Sequence, residues 1–127
     1  LVGTEFLANG DTTAYHRQWV DRLRRAYKIG VTLVYGTDAI DFKPGITRGQ
    51  DAITGIDPWV EAGVPAPAIL RAMTTNGTRL LGVDDVRGTL KVGQYADLIA
   101  TPDNPLTNIL TLKQVSFVMQ NGKVVER

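Results

Sequence analysis

The sequence predicts an α/β fold, and three features carry that prediction: a long amphipathic helix, a charge-free β-branched run directly behind it, and a terminal hairpin marked by Asn121-Gly122. The helix is expected from about Thr12 to Ile29. Tyr15, Trp19, Val20, Leu23, Ala26 and Tyr27 recur there at helical spacing, while Arg17, Asp21, Arg24, Arg25 and Lys28 take the other side. Asp11 is placed to cap its start, and Gly30 to end it in a left-handed conformation. Val31 to Tyr35 then has the composition of a strand buried on both faces of a parallel sheet. Helix, glycine and buried strand make half of a βαβ unit.

Gly36 to Gly49, punctuated by glycines and Pro44, is expected to be a loop at the C-terminal end of that strand. Helical signals return from roughly Gln50 to Ala62, with Gly55 and Pro58 as interruptions and Gly63 as the stop. Pro65 and Pro67 suit the first turn of a further helix that carries Ile69, Leu70, Ala72 and Met73 inward, and another turn from Thr75 to Leu81 ends at Gly82. From Gly88 onward Leu90, Tyr95, Ala96, Leu98 and Ile99 read as short strand-like runs cut by Gly93 and Pro102. Val115 to Gln120 and Lys123 to Glu126 flank Asn121-Gly122, which supplies the two positive φ values of a type I′ hairpin turn.

Composition narrows the classes. The chain has 127 residues, 43% of them hydrophobic, enough for one domain with a real core. A formal net charge of +1 gives no electrostatic reason to expect nucleic acid or an anionic membrane surface as partner. The absence of Cys excludes disulfides and thiolate metal sites. No apolar run approaches the roughly 20 residues of a membrane span, and Leu1 to Gly10 lacks the order of a signal peptide, so a soluble protein of undetermined compartment is expected. A start at Leu1 rather than Met suggests a piece of a longer polypeptide.

Three segments together resemble the urease-related amidohydrolase superfamily, in its imidazolonepropionase-like and prolidase-like branch. The first is Gly30 to Ala39, similar to the last barrel strand of that family with its Gly36-Thr37-Asp38 ending. The second is Ala68 to Asn76 followed by Leu80-Leu81-Gly82, and the third runs from Gly88 to Leu98, then Asn104-Pro105-Leu106 and the Asn121-Gly122 hairpin. Their order is similar to the C-terminal third of the family and covers the chain from about Asp11 onward. Gly77 or Thr78 stands where family members commonly carry Ala, and Asp41 to Gln50 matches no family segment.

The resemblance implies an architecture. Residues 1–82 would be the final βα portion of a metal-dependent hydrolase (β/α)8 barrel, and residues 83–127 strands of a small composite β-sandwich. As a stand-alone fold this is incomplete, since a full barrel takes roughly 200 residues or more. The covering partner would be the N-terminal remainder of the same enzyme, a complementary chain, or another copy of this one.

The resemblance also implies chemistry: hydrolysis of a C–N bond in an amide, lactam or dipeptide by metal-activated water. Such a site needs several imidazoles for a divalent metal, Zn first among the candidates, and a carboxylate to take the water's proton. Asp38 matches the strand-eight Asp of the family and is the candidate catalytic and metal-ligating residue. Its bland alternative is a helix or loop cap.

His16, the only histidine, falls on the apolar face of the first helix and reads as a packed, hydrogen-bonded ring rather than a ligand. Asp97 reads as an acceptor for backbone N–H groups, Asn76 as a cap, and Arg22, Arg24, Arg25 and Lys28 as a solvated helix face. With one carboxylate and no usable His, the isolated chain is expected to hold no metal and no activity. The rival class is a non-catalytic α/β module or inactive fragment that binds a protein partner or self-associates.

Overall fold

The computed structural model describes residues 12–37 and 44–125. Among the described residues five α-helices precede a small antiparallel sheet: α1 Thr12–Lys28, α2 Arg48–Thr54, α3 Asp57–Glu61, α4 Ala66–Met73 and α5 Thr75–Leu81, then β1 Leu98–Ala100, β2 Phe117–Gln120 and β3 Lys123–Val124. A 3-10 turn, Ile109–Gln114, lies between β1 and β2.

The α1 helix ends where the sequence places its stop. Gly30 takes φ +80°, and the N–H groups of Gly30 and Val31 return to the carbonyls of Tyr27 and Ala26 at 3.1 and 3.0 Å. Arg25 and Lys28 in its last turn complement the negative end of the helix dipole. Its candidate cap, Asp11, lies outside the described residues. On its buried side Val20 enters a core shared with Ile56, Trp59 and Ala62 around α3, Ile69 and Ala72 of α4, and Ile109 and Leu112 of the 3-10 turn.

The helical stretch anticipated from Gln50 is two helices, and it begins earlier, at Arg48. Thr47 caps α2: its Oγ1 accepts the Gln50 N–H at 3.2 Å, and Gln50 Oε1 accepts the Thr47 N–H at 2.7 Å. The Thr-x-x-Gln spelling of this reciprocal box is legible in the sequence. Gly55 and Pro58 divide α2 from α3, with Pro58 in the first turn of α3, where its missing N–H has no consequence. Lys113 Nζ reaches both Asp57 carboxylate oxygens at 2.6 and 2.7 Å, joining the 3-10 turn to the start of α3.

The sheet has the order β1-β2-β3, with Ile99 opposite Val118 and Met119 opposite Val124. Asn121 at φ +50° and Gly122 at φ +75° turn the chain between β2 and β3, as the Asn-Gly pair requires. Leu90, Tyr95 and Ala96 are not in strands, which corrects that part of the expectation. Gly88 and Gly93 adopt φ +95° and +91°, and the Gln94 amide bonds the carbonyls of Asp84 and Asp85, so this stretch folds on itself.

Val31 to Tyr35 also differs from expectation. It is extended but belongs to no sheet, and Val31 is 50% exposed rather than buried on both faces. A ladder needs a neighbouring strand, and the described residues offer none beside it. Its composition suits a buried strand whose partners these residues do not supply.

Gly88 permits a test of local packing. A Cβ there would lie 2.5 Å from Thr78 Oγ1 and 2.9 Å from Cγ2, in a backbone conformation that L residues avoid. Gly88→Ala should cost about 2 kcal/mol in urea unfolding. Adding Thr78→Ala should recover the steric part and leave the backbone part. An unchanged denaturation midpoint in the single variant would contradict this packing.

Candidate functional site

The candidate site begins with the extended segment 31–37, because it leads directly into Asp38. That segment is tied to the helices by hydrogen bonds: Tyr35 N–H donates to Ala72 O at 2.9 Å, and Asn76 Nδ2 donates to Leu33 O at 2.8 Å. The Tyr35 hydroxyl donates to Ala52 O at 2.7 Å. Alternation along the segment divides its contacts: Leu33 and Tyr35 pack on the core, while Val34 faces α5 beside Gly77.

Tyr35 is the residue that sequence reasoning missed. Its ring lies 5.6 Å from that of Trp59 at a tilt of 42°. Burial, with the nearby Asp57 charge adding to it, pushes the phenol up to about 12, so it stays a donor throughout the physiological range. Gly55 makes room for it, since a Cβ on Gly55 would stand 2.8 Å from the hydroxyl oxygen. An aromatic residue three positions before a catalytic-type Asp, with a glycine twenty further on, was the available signal.

Gly36 and Thr37 are exposed at the end of the segment. Asp38 lies outside the described residues, so its partners are not described. Val34 and Tyr35 share a cavity of about 670 Å³ with apolar residues of α5 and β1, including Leu80, Leu81 and Leu98.

The remaining sequence candidates take structural positions. His16 is not packed on an apolar face: its Nε2 meets Glu61 Oε2 at 2.6 Å, with the two side chains 44% and 53% exposed. The partner comes from α3, where no helical spacing could reveal it. Asp97 accepts the Asn121 N–H at 2.7 Å, as anticipated, and it also pairs with Arg87. That backbone hydrogen bond, with help from Arg87, holds its carboxyl below the usual carboxylate range. Asn76, expected as a helix or loop cap, bonds the Leu33 carbonyl and so clamps the extended segment. On the basic face, Arg25 pairs with Asp21 at 2.9 Å and Arg24 donates to Glu61 O at 3.1 Å.

Among the described residues no three His, Cys, Asp or Glu side chains come together as a metal site. No helix among the described residues is long and apolar enough to cross a membrane.

Comparison with known proteins adds an independent finding. The profile of the amidohydrolase family matches residues 11–125. The chain is 29% identical over 121 residues to 5-methylthioadenosine/S-adenosylhomocysteine deaminase 1 of Syntrophus aciditrophicus (strain SB), covering 80% of this chain and 27% of that protein. Among solved structures it is similar to a Xaa-Pro dipeptidase with methionine bound in its active site, at 36% identity and a TM-score of 0.72, over 87% of this chain and 26% of the other. It is also similar to molinate hydrolase, at 28% identity and a TM-score of 0.71, over 82% and 25%. The chain thus spans about a quarter of the length of these relatives.

Proposed function

Because the chain belongs to the amidohydrolase family, we propose that it works as one part of a metal-dependent hydrolase that cleaves a C–N bond in an amide, lactam or dipeptide. The observation that carries this reading is the family match over residues 11–125, which includes Asp38 directly after the clamped segment 31–37. Relatives named as a deaminase, a dipeptidase and a hydrolase support a hydrolytic reaction at nitrogen-bearing substrates.

In this reading Asp38 is the general base and a metal ligand or near-ligand. A divalent ion, Zn first, would acidify the attacking water; its other ligands come from outside these residues. This chain's own contribution is to hold Asp38 in place and accept a proton there. Residues 1–82 then close a (β/α)8 barrel and residues 83–127 join a composite β-sandwich, both completed by the N-terminal remainder of the enzyme or a complementary chain.

The test compares the isolated 127-residue chain with the same chain co-expressed with the remainder of a full-length amidohydrolase polypeptide. The isolated chain should show no turnover of dipeptides or lactams with Zn²⁺, Mn²⁺ or Co²⁺, because one carboxylate cannot make a three- or four-ligand site. The completed protein should bind metal and turn substrate over. Metal-dependent turnover by the isolated chain would overturn the division of labour. A sharp-melting monomer that binds neither companion nor metal would favour a non-catalytic module.

A further inference from the structure

At the start of the extended segment lies a cavity of about 340 Å³, lined by Tyr27, Gly30 to Leu33, Val64 and Ala68, and by Arg71, Asn76 and Arg79. Thr37, the last described residue before Asp38, is at the other end of the segment. Arg71 belongs to the last turn of α4 and Arg79 to the last turn of α5. The ordinary role of such residues is to complement the negative ends of their helices, which two separate solvated side chains would do equally well. Here both line one concavity.

Its charge is uncompensated among the described residues. No acidic residue lines the cavity, and neither Arg71 nor Arg79 has an ion pair or side-chain hydrogen bond among the described residues. The other arginines give the contrast: Arg24 and Arg25 meet Asp21, and Arg87 meets Asp97. Two like charges brought to one small space repel each other, and a bound anion removes that cost. Guanidinium groups present planar, paired donors suited to tetrahedral or planar oxyanions.

We propose that this cavity is a binding site for a small dianionic oxyanion, a phosphate or phosphoryl group, held by Arg71 and Arg79. The charge count selects the dianion over a single carboxylate, because among the described residues two arginines without ion pairs line the space and no acid does. Thr32, Tyr27 and Asn76 line the same space; the Asn76 amide nitrogen is already engaged with Leu33 O. A volume of 340 Å³ is at the small end of ligand sites, suited to a phosphate or a compact phosphorylated molecule. An occupant would tie α4 and α5 to residues 30–33, the root of the segment that carries Asp38. This inference stands apart from the hydrolase reading, since it needs no metal and no turnover.

The probe is inorganic phosphate, titrated into the 127-residue chain and followed by calorimetry and by amide NMR shifts. Saturable binding should appear, with shifts concentrated at residues 30–33, 71, 76 and 79. Arg71→Gln and Arg79→Gln should each weaken it about tenfold, as loss of one charge-assisted contact worth about 1.4 kcal/mol requires. Arg22→Gln, on α1 and outside the cavity, should leave affinity unchanged. Both cavity arginines are exposed, so circular dichroism should report an unchanged fold for each variant. An effect reproduced by sodium chloride at equal ionic strength, or unaltered by either cavity substitution, would overturn the site. Acetate binding as tightly as phosphate would overturn its assignment to a dianion.

Discussion

Asp38→Asn in the completed hydrolase should lower kcat about 100- to 10,000-fold, the span expected for removing a general base, while the thermal unfolding midpoint stays nearly unchanged. Asn has the shape of Asp and lacks its basicity, so the loss belongs to the proton-transfer step. KM should move less than kcat if ground-state binding is unaffected. The backbone leading to residue 38 is held by groups that the substitution does not touch, the Tyr35 hydroxyl on Ala52 O and the Asn76 amide on Leu33 O. Steady-state kinetics with metal analysis of the same samples would check it. Full activity with unchanged metal content would make Asp38 a loop cap instead.

Trp59→Ala should destabilise the fold by about 3 to 5 kcal/mol, a large share of the roughly 5 to 15 kcal/mol that holds a domain of this kind together. Trp59 is only 5% exposed, and it joins several parts of the structure at once. Its ring meets Tyr35 of the extended segment, and its neighbours in the core include Val20 of α1, Ile69 of α4 and Leu112 of the 3-10 turn. Removing it opens a cavity that short helices cannot close without losing contact with one another. Leu80→Ala, at a residue 73% exposed, should cost about 0.5 kcal/mol or less. Urea unfolding of the two variants side by side would check the contrast. A Trp59 variant as stable as the parent would mean that α3 is not the centre of the core.

The sequence by itself determined those elements whose causes are local. The span of α1 follows from apolar spacing, and its end from the glycine that takes φ +80°. Asn121-Gly122 specifies the hairpin through two positive φ values that few other pairs adopt readily. Family membership was legible too, because Gly36-Thr37-Asp38, Asn76 and the Gly88 to Leu98 stretch stand in a recognisable order. Pro58 and Gly55 mark a break, and the Thr47 capping box sets the start of α2 two residues before the expected one.

Tertiary structure alone decided what depends on distant partners. Whether Val31 to Tyr35 becomes a strand is a question of what lies beside it, and composition cannot supply a neighbour. His16 pairs with a carboxylate 45 residues away, and Asn76 reaches a carbonyl 43 residues back, separations that no periodicity encodes. The same holds for Arg71 and Arg79: each reads as an ordinary helix-end cation, and only the packing of α4 against α5 and the extended segment brings both to one cavity, with no acid among its described lining residues. Local chemistry sets the conformation of a few residues at a time, whereas a site is made by side chains whose meeting depends on the whole fold.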